Sequence, residues 1–179
     1  MKYIISILAI VLFQPTKIIT LKDYYCGEGV IFDDKSIFEF EKIGYKSLYV
    51  PTLEDIIIGE NFLFENYFDY EINMKEYFDL DKSKINTKYK NPENVKKKYK
   101  KYNRQYVACI NKDNDTILYI GLLNFSNKKA KVYFDNWKEY VYGGAGDYYY
   151  KNYKSYVINL SKKNFVYYVE GIKDKSNTP

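Results

Sequence analysis

The spacing of apolar residues changes once along this chain, and that change constrains the fold more than any other feature. Leu53, Ile56, Ile57, Leu63, Phe64, Tyr67 and Phe68 recur at steps of three and four. That is the stripe of an amphipathic helix. Pro51 stops the preceding extended run, Thr52 stands where an N-cap belongs, and Glu54 and Asp55 follow in the first turn, where the helix dipole favours acids. The spacing predicts a main helix over about 53–70. Gly59 inside it costs about 1 kcal/mol relative to alanine.

From Gln105 onward the step is two. Tyr106–Ile110 and Thr116–Asn124 flank the turn-rich Lys112-Asp113-Asn114-Asp115, which predicts a β-hairpin. A second hairpin is expected to join Lys154–Leu160 to Phe165–Gly171 through Ser161-Lys162-Lys163-Asn164. Between the hairpins, Ala130, Phe134, Trp137 and Val141 fit one helical face, with a strand at Val132–Phe134 as the competing reading. Upstream, Ser36–Ile43 and Tyr45–Val50 read as short strands separated by Gly44. The expected fold class is α+β. One main helix would pack on an antiparallel sheet of four to five strands, in a cystatin-like or NTF2-like arrangement.

Residues 1–20 read as a targeting segment. Met1-Lys2 gives a short basic start, Tyr3–Phe13 an apolar run, and Gln14-Pro15 a helix-breaking end. Eleven residues are too few for a bilayer core of about 30 Å, which takes about 20. No A-x-A-like cleavage site follows, and Thr16 and Thr20 are the only smallish candidates. Without cleavage the segment would remain as a membrane tether. A single domain is expected over 21–172 and a frayed tail over 173–179. Cys26 follows Asp23-Tyr24-Tyr25, unlike a lipidation site.

Composition works mainly by exclusion. The 179 residues include no histidine, which removes Ser-His-Asp and Cys-His catalysis and His-ligated zinc. Two cysteines, Cys26 and Cys109, cannot build a four-cysteine metal site. In an oxidising compartment they would either pair as a disulfide or stay as two free thiols. Tyr is abundant, at 23 residues, and Arg104 is the one arginine. Lys, Asn, Ile and Tyr have AT-rich codons, so the Tyr and Lys counts carry little functional meaning. The scarcity of arginine does argue against a nucleic-acid binder, which favours the bidentate guanidinium fork. The net charge of +5, or +3 without residues 1–20, is too small to imply a polyanionic partner.

Charge is nevertheless sharply divided. Residues 53–81 hold nine acids and one lysine, and residues 82–104 hold ten bases and one acid. Asn91-Pro92-Glu93 has the form of an N-cap, an N1 proline and an early acid, so a short helix is expected near 92–103. Val95, Tyr99 and Tyr102 would form its apolar face. Lys96, Lys97, Lys98, Lys100 and Lys101 would form a basic surface on its wet side. The near-equal and opposite charges predict that the two segments lie close together.

No motif reaches the level of a catalytic, cofactor or metal site. Asn111, Asp113 and Asp115 mimic the start of a calcium loop, but Thr116 and Leu122 stand where it needs a glycine and a bidentate acid. The cluster Gly143-Gly144-Ala145-Gly146 lacks the Lys-Ser/Thr of a phosphate loop. Ser126–Lys129 and Tyr150–Lys154 match S-x-x-K and Y-x-x-x-K at the frequency expected by chance in so lysine-rich a chain. Asp33-Asp34 and the acids of 53–81 offer no pair singled out for glycoside hydrolysis.

Arg104-Gln105-Tyr106 through Asn111, Trp137-Lys138-Glu139, Gly146-Asp147-Tyr148-Tyr149 and Val157-Ile158-Asn159-Leu160-Ser161 carry a resemblance. The C-terminal part of the chain resembles small, signal-bearing proteins of AT-rich bacterial genomes with no assigned activity. The resemblance implies an exported domain with a C-terminal antiparallel sheet, and no site residues. The functional expectation is an exported, non-catalytic binding or interaction protein of the cell envelope, without cofactor. Its partner would be a protein, not nucleic acid, and membrane contact would come only through an uncleaved N-terminus. The alternatives are an immunity-type inhibitor that neutralises a toxin and a weak carboxylate-based hydrolase.

Overall fold

The computed structural model describes residues 17–33, 44–126, 128–142 and 151–167. The segment Tyr3–Phe13, the strand expected at Ser36–Ile43, the glycine cluster at 143–146 and the tail at 173–179 lie outside the described residues.

The chain is α+β. A seven-stranded sheet comprises β1 (Lys17–Ile19), β2 (Gly29–Ile31), β3 (Tyr45–Tyr49), β4 (Asn103–Asn111), β5 (Thr116–Leu123), β6 (Tyr153–Asn159) and β7 (Asn164–Phe165). Among the described residues three α-helices accompany it: α1 (Leu53–Tyr77), α2 (Pro92–Tyr99) and α3 (Lys128–Tyr133). Strand β4 organises the whole. One of its edges pairs with β5 along its length, in register from Asn103↔Leu123 to Ile110↔Thr116. Its other edge is shared end to end. Arg104–Tyr106 take β2 in parallel, and Ala108–Asn111 take β3 antiparallel.

The first expected hairpin forms as β4–β5; of the second, β6 pairs with β7 at Ile158↔Phe165 and Asn159↔Asn164, and residues 168–171 of its expected second arm lie outside the described residues. The expected sheet of four to five antiparallel strands is corrected in two ways. The described residues form seven strands, and the β2–β4 pair is parallel. The three-residue strands β1 and β2 are too short to show a period of their own.

Helix α1 begins as its sequence demands. The Asp55 backbone N–H donates to Thr52 Oγ1 at 3.1 Å, and the Thr52 N–H donates to Asp55 Oδ2 at 2.9 Å. This is a reciprocal capping box. The helix runs to Tyr77 rather than to about residue 70, because Tyr70, Met74 and Tyr77 continue the apolar stripe beyond Tyr67. Asp79, in a left-handed conformation (φ 51°), then breaks it. Gly59 has a packing reason: a Cβ there would come within 2.4 Å of Leu118 on β5, so its absence lets helix and sheet approach.

Helix α2 is shorter than the expected 92–103 and ends at Tyr99. Residues 128–133 are helical and not a strand, and Ala130, Phe134 and Trp137 are buried together.

The sheet is covered on both faces. Tyr106, Ala108, Leu118, Ile120, Leu122, Tyr156 and Ile158 pack under α1 and α2. The alternate residues Val107, Cys109, Ile117, Tyr119, Leu123 and Val157 pack toward α3. Strands covered on two faces lose the polar half of the alternation, and β4 and β5 are buried almost throughout.

The acidic and basic segments do meet. Helix α2 packs on α1, Lys82 pairs with Glu76 at 3.3 Å, and Arg104 pairs with Glu60 at 2.8 Å.

Candidate functional site

Three polar or concave features stand out, and their chemistry differs. The first is wholly internal. Glu60 lies on the buried face of α1 and Arg104 on β4, and neither is exposed. Arg104 Nε donates to Glu60 Oε1 at 2.8 Å, and the Tyr106 hydroxyl donates to the same oxygen at 2.8 Å. Arg104 Nη1 donates to the carbonyls of Tyr99 and Tyr102, and its guanidinium stacks over the Tyr25 ring at 4.7 Å. The pair thus ties α1, the end of α2 and β4 together. It is reached by no solvent and acts as an anchor. In the sequence Glu60 is one of nine acids over 53–81 and Arg104 one of ten bases over 82–104, and nothing there joins the two. The available signal was an acid at position 60, between Ile56 and Leu63 on the apolar stripe.

The second feature is a shallow depression of about 500 Å³ beside α3, bordered by Lys101, Asn103, Phe125, Lys131, Asp135 and Trp137. Its aromatic rings are committed to the core: Phe134 is fully buried, and Trp137 nearly so. The Gln105 side chain holds this region by donating to the carbonyls of Trp137 and Tyr140 and accepting from the Tyr142 N–H at 3.0 Å.

The third is a cleft of about 400 Å³ between the C-terminal half of α1 and β6. Tyr70, Met74, Phe78 and Leu80 form one wall, Tyr153 and Tyr156 the other, with Glu71, Lys75, Lys154 and Ser155 among them. The floor is aromatic. The Tyr70 ring meets Tyr156 at 5.0 Å, lies 4.6 Å from Phe165, and stacks on Tyr167 at 5.4 Å. Behind it the hydroxyls of Tyr156 and Tyr99 lie 2.9 Å apart. Burial raises the pKa values of Tyr70, Tyr99 and Tyr156 above the usual phenol range, so these hydroxyls are neutral donors and acceptors at neutral pH.

The lysines expected as one basic surface divide. Lys97, Lys100 and Lys101 are exposed. Lys96 is half-buried over the Tyr24 ring at 4.9 Å. Lys98 turns inward instead: its ammonium donates to the Tyr67 hydroxyl and lies 4.5 to 4.9 Å from the centroids of Tyr67, Tyr89 and Tyr99. Cation–π attraction compensates part of its lost hydration. Burial still lowers its pKa below the usual ammonium value, opposed by the nearby Glu71 carboxylate.

Cys26 and Cys109 are both free, the first exposed and the second buried. Cys109 lies five residues along β4 from Arg104, the partner of Gly29, and Cys26 precedes Gly29 in the opposite direction. That puts roughly 15 Å or more between them, at about 3.3 Å per strand residue. A disulfide needs Cα atoms within about 7 Å.

Asp113 and Asp115 sit in the β4–β5 turn and share Lys162, at 3.6 and 2.7 Å. This is the surface turn expected in place of a calcium loop. Among the described residues no group of three or more His, Cys, Asp or Glu is placed to hold a metal ion, and no helix is long and apolar enough to cross a membrane.

No protein-family model, no curated protein and no solved structure matches this chain.

Proposed function

We propose that this protein is an exported, non-catalytic binding protein of the bacterial cell envelope, and that it takes its partner in the cleft between the end of α1 and β6. The observation that carries this reading is the exposed apolar group at the mouth of the cleft. Phe78 and Leu80 are 52% and 56% exposed while lining the cavity, and the Tyr77 ring lies 5.0 Å from that of Phe78. Large apolar side chains gathered beside a concavity are characteristic of surfaces that something covers.

Further support comes from the cleft walls, which are mostly aromatic and aliphatic with a few polar groups. The carboxylate-hydrolase reading would need a pair of carboxylates. Among the described residues, Glu71 is the one acid lining this cleft and Asp135 the one acid lining the depression beside α3. Export rests on the apolar run Tyr3–Phe13 and Pro15. A long helix lying on one face of a sheet also suits a cystatin-like or NTF2-like description of the fold, in which the helix and the sheet leave a cleft between them.

An anionic fluorescent dye such as anilinonaphthalene sulfonate tests the site directly. The folded full-length protein should enhance its emission. Phe78→Ser with Leu80→Ser should abolish the enhancement while leaving the thermal melt unchanged, since both side chains are mostly outside the core. Dye emission unaffected by the double substitution would overturn the assignment of the cleft.

A further inference from the structure

The fold sorts the lysines of the run Lys96-Lys97-Lys98-Tyr99-Lys100-Lys101 by what they face. We propose that the outward ones, Lys97, Lys100 and Lys101, together with Lys131 on the border of the depression beside α3, bind an acidic polysaccharide. This site is independent of the α1–β6 cleft.

The other lysines of this region are committed to the fold. Lys98 is turned onto the Tyr67, Tyr89 and Tyr99 rings, Lys96 lies over Tyr24 at 4.9 Å, and Lys90 lies over Phe68 of α1 at 5.1 Å. Lys97, Lys100 and Lys101 are left over. All three are exposed, and among the described residues none of them is in an ion pair or over a ring. Lys97 stands three and four residues before the other two, which makes them neighbours at the end of the helix. The Cys26 N–H donates to the Lys100 carbonyl at 2.7 Å and fixes this end against the loop between β1 and β2. Lys101 also borders the depression of about 500 Å³, and so does Lys131, exposed and likewise unpaired.

The acids around this surface do not neutralise it. Glu28 is occupied by Lys138 at 2.7 Å. Asp23, Glu93 and Asp135 remain, against Lys22, Lys96, Lys97, Lys100, Lys101 and Lys131. Glu93 lies one helical turn before Lys97 but does not pair with it. A polyanion approaching the end of α2 therefore meets a net positive field, and complementary fields steer the choice of partner.

The chemistry of the patch selects the kind of polyanion. Nucleic acids and phosphates favour the arginine fork, and the one arginine of this chain is buried on Glu60. A protein partner favours an apolar centre, and lysine is depleted from such interfaces. Residues 97–101 expose no large apolar side chain. An acidic polysaccharide needs neither device. It presents charges at intervals along a hydrated chain, which suits compact, strongly hydrated ammonium groups. Its hydroxyls find Asn103 and Ser126 on the same border as Lys101 and Lys131. A dye with a single sulfonate has little to gain from so diffuse a site.

Calorimetry on the full-length protein tests this with four probes: a heparin hexasaccharide, a polygalacturonate fragment, neutral dextran, and a poly-glutamate of matched charge. The two acidic glycans should bind at about 50 mM salt, dextran should not, and poly-glutamate should bind more weakly than either glycan. Raising salt to about 200 mM should cut the glycan affinity roughly twenty- to fortyfold, as for about three ionic contacts. Lys97→Gln with Lys100→Gln and Lys101→Gln should lower the affinity at least about tenfold. Lys46→Gln with Lys112→Gln and Lys163→Gln removes the same charge from exposed positions around the hairpin turns and should leave the affinity within about twofold. Lys131→Gln, expected to cost about threefold, serves if the first triple variant folds poorly. Equal losses in the two triple variants, or full affinity in both the α2 variant and Lys131→Gln, would overturn the site. Poly-glutamate binding as tightly as the glycans would overturn the polysaccharide, and silence of both glycans would overturn the proposal outright. None of these results bears on the cleft, which the dye and Phe78→Ser with Leu80→Ser report.

Discussion

Arg104 Nε lies 2.8 Å from Glu60 Oε1, and neither side chain reaches solvent. The chain has one arginine and places it in the core, on a helical acid 44 residues away in sequence. Desolvating two charges is costly, and their attraction offsets the cost only while both are present. Arg104→Met alone should therefore destabilise the fold by about 3–5 kcal/mol, because Glu60 is left charged and buried. Glu60→Leu combined with Arg104→Met should recover much of that loss. Urea denaturation of the two variants measures the difference, and a single variant as stable as the parent would refute the account of this pair.

The two thiols should behave as unlike groups. Cys26 is exposed, whereas burial pushes the Cys109 thiol up to about 11. A disulfide reagent should label one thiol in the folded protein and two in denaturant without reductant. No labelling in either state would mean that the two are bonded.

Alkaline pH should unfold this protein in a narrow range. Burial raises Tyr25 to about 12, and raises Tyr67, Tyr99, Tyr106 and Tyr156 as well. A phenol whose folded pKa exceeds its unfolded value of about 10 holds its proton more tightly in the folded state. Its contribution to stability is complete below about pH 10 and is lost as pH climbs through and beyond that value. Titration of phenolate absorbance should show exposed tyrosines ionising near pH 10. The buried set should follow at higher pH, together with loss of the circular dichroism of the fold. A single smooth transition near pH 10 with the fold intact would contradict their burial.

The N-terminal boundary bears on both export and stability. Lys17–Ile19 form β1 against β2, and Ile19 is buried in the core under α1. Processing that keeps this strand must cut no later than Thr16. Mass spectrometry of the exported protein should find an N-terminus at or before Lys17. Ile19→Ala should cost about 2 kcal/mol or more. A mature chain starting after Thr20, with unaltered stability, would show that β1 is dispensable.

What the sequence discloses and what it hides follow from the range of the interactions. Thr52 and Asp55 are three residues apart, so the start of α1 was readable, and the hairpin turns at Lys112–Asp115 and Ser161–Asn164 were too. The end of α1 was readable in principle, through Tyr70, Met74 and Tyr77, but the dense acids around them mask the stripe. The parallel β2–β4 pair was not readable, because Gly29–Ile31 has no periodicity of its own and its partner lies about 75 residues away. The inward turn of Lys98 was hidden for a related reason: α2 alone presents it as one of five similar lysines, and two of the three rings it sits on, Tyr67 and Tyr89, come from outside α2. The cleft requires α1 and β6 together, and nothing local to either marks it.

The most direct test of the central claim is amide chemical-shift mapping of the full-length protein during titration with anilinonaphthalene sulfonate. The account predicts that shifts concentrate at Glu71, Met74, Leu80, Lys154 and Ser155, with the amides around Phe125 and Trp137 unmoved. Shifts centred on Trp137 and the α3 side, with the α1–β6 cleft silent, would contradict it.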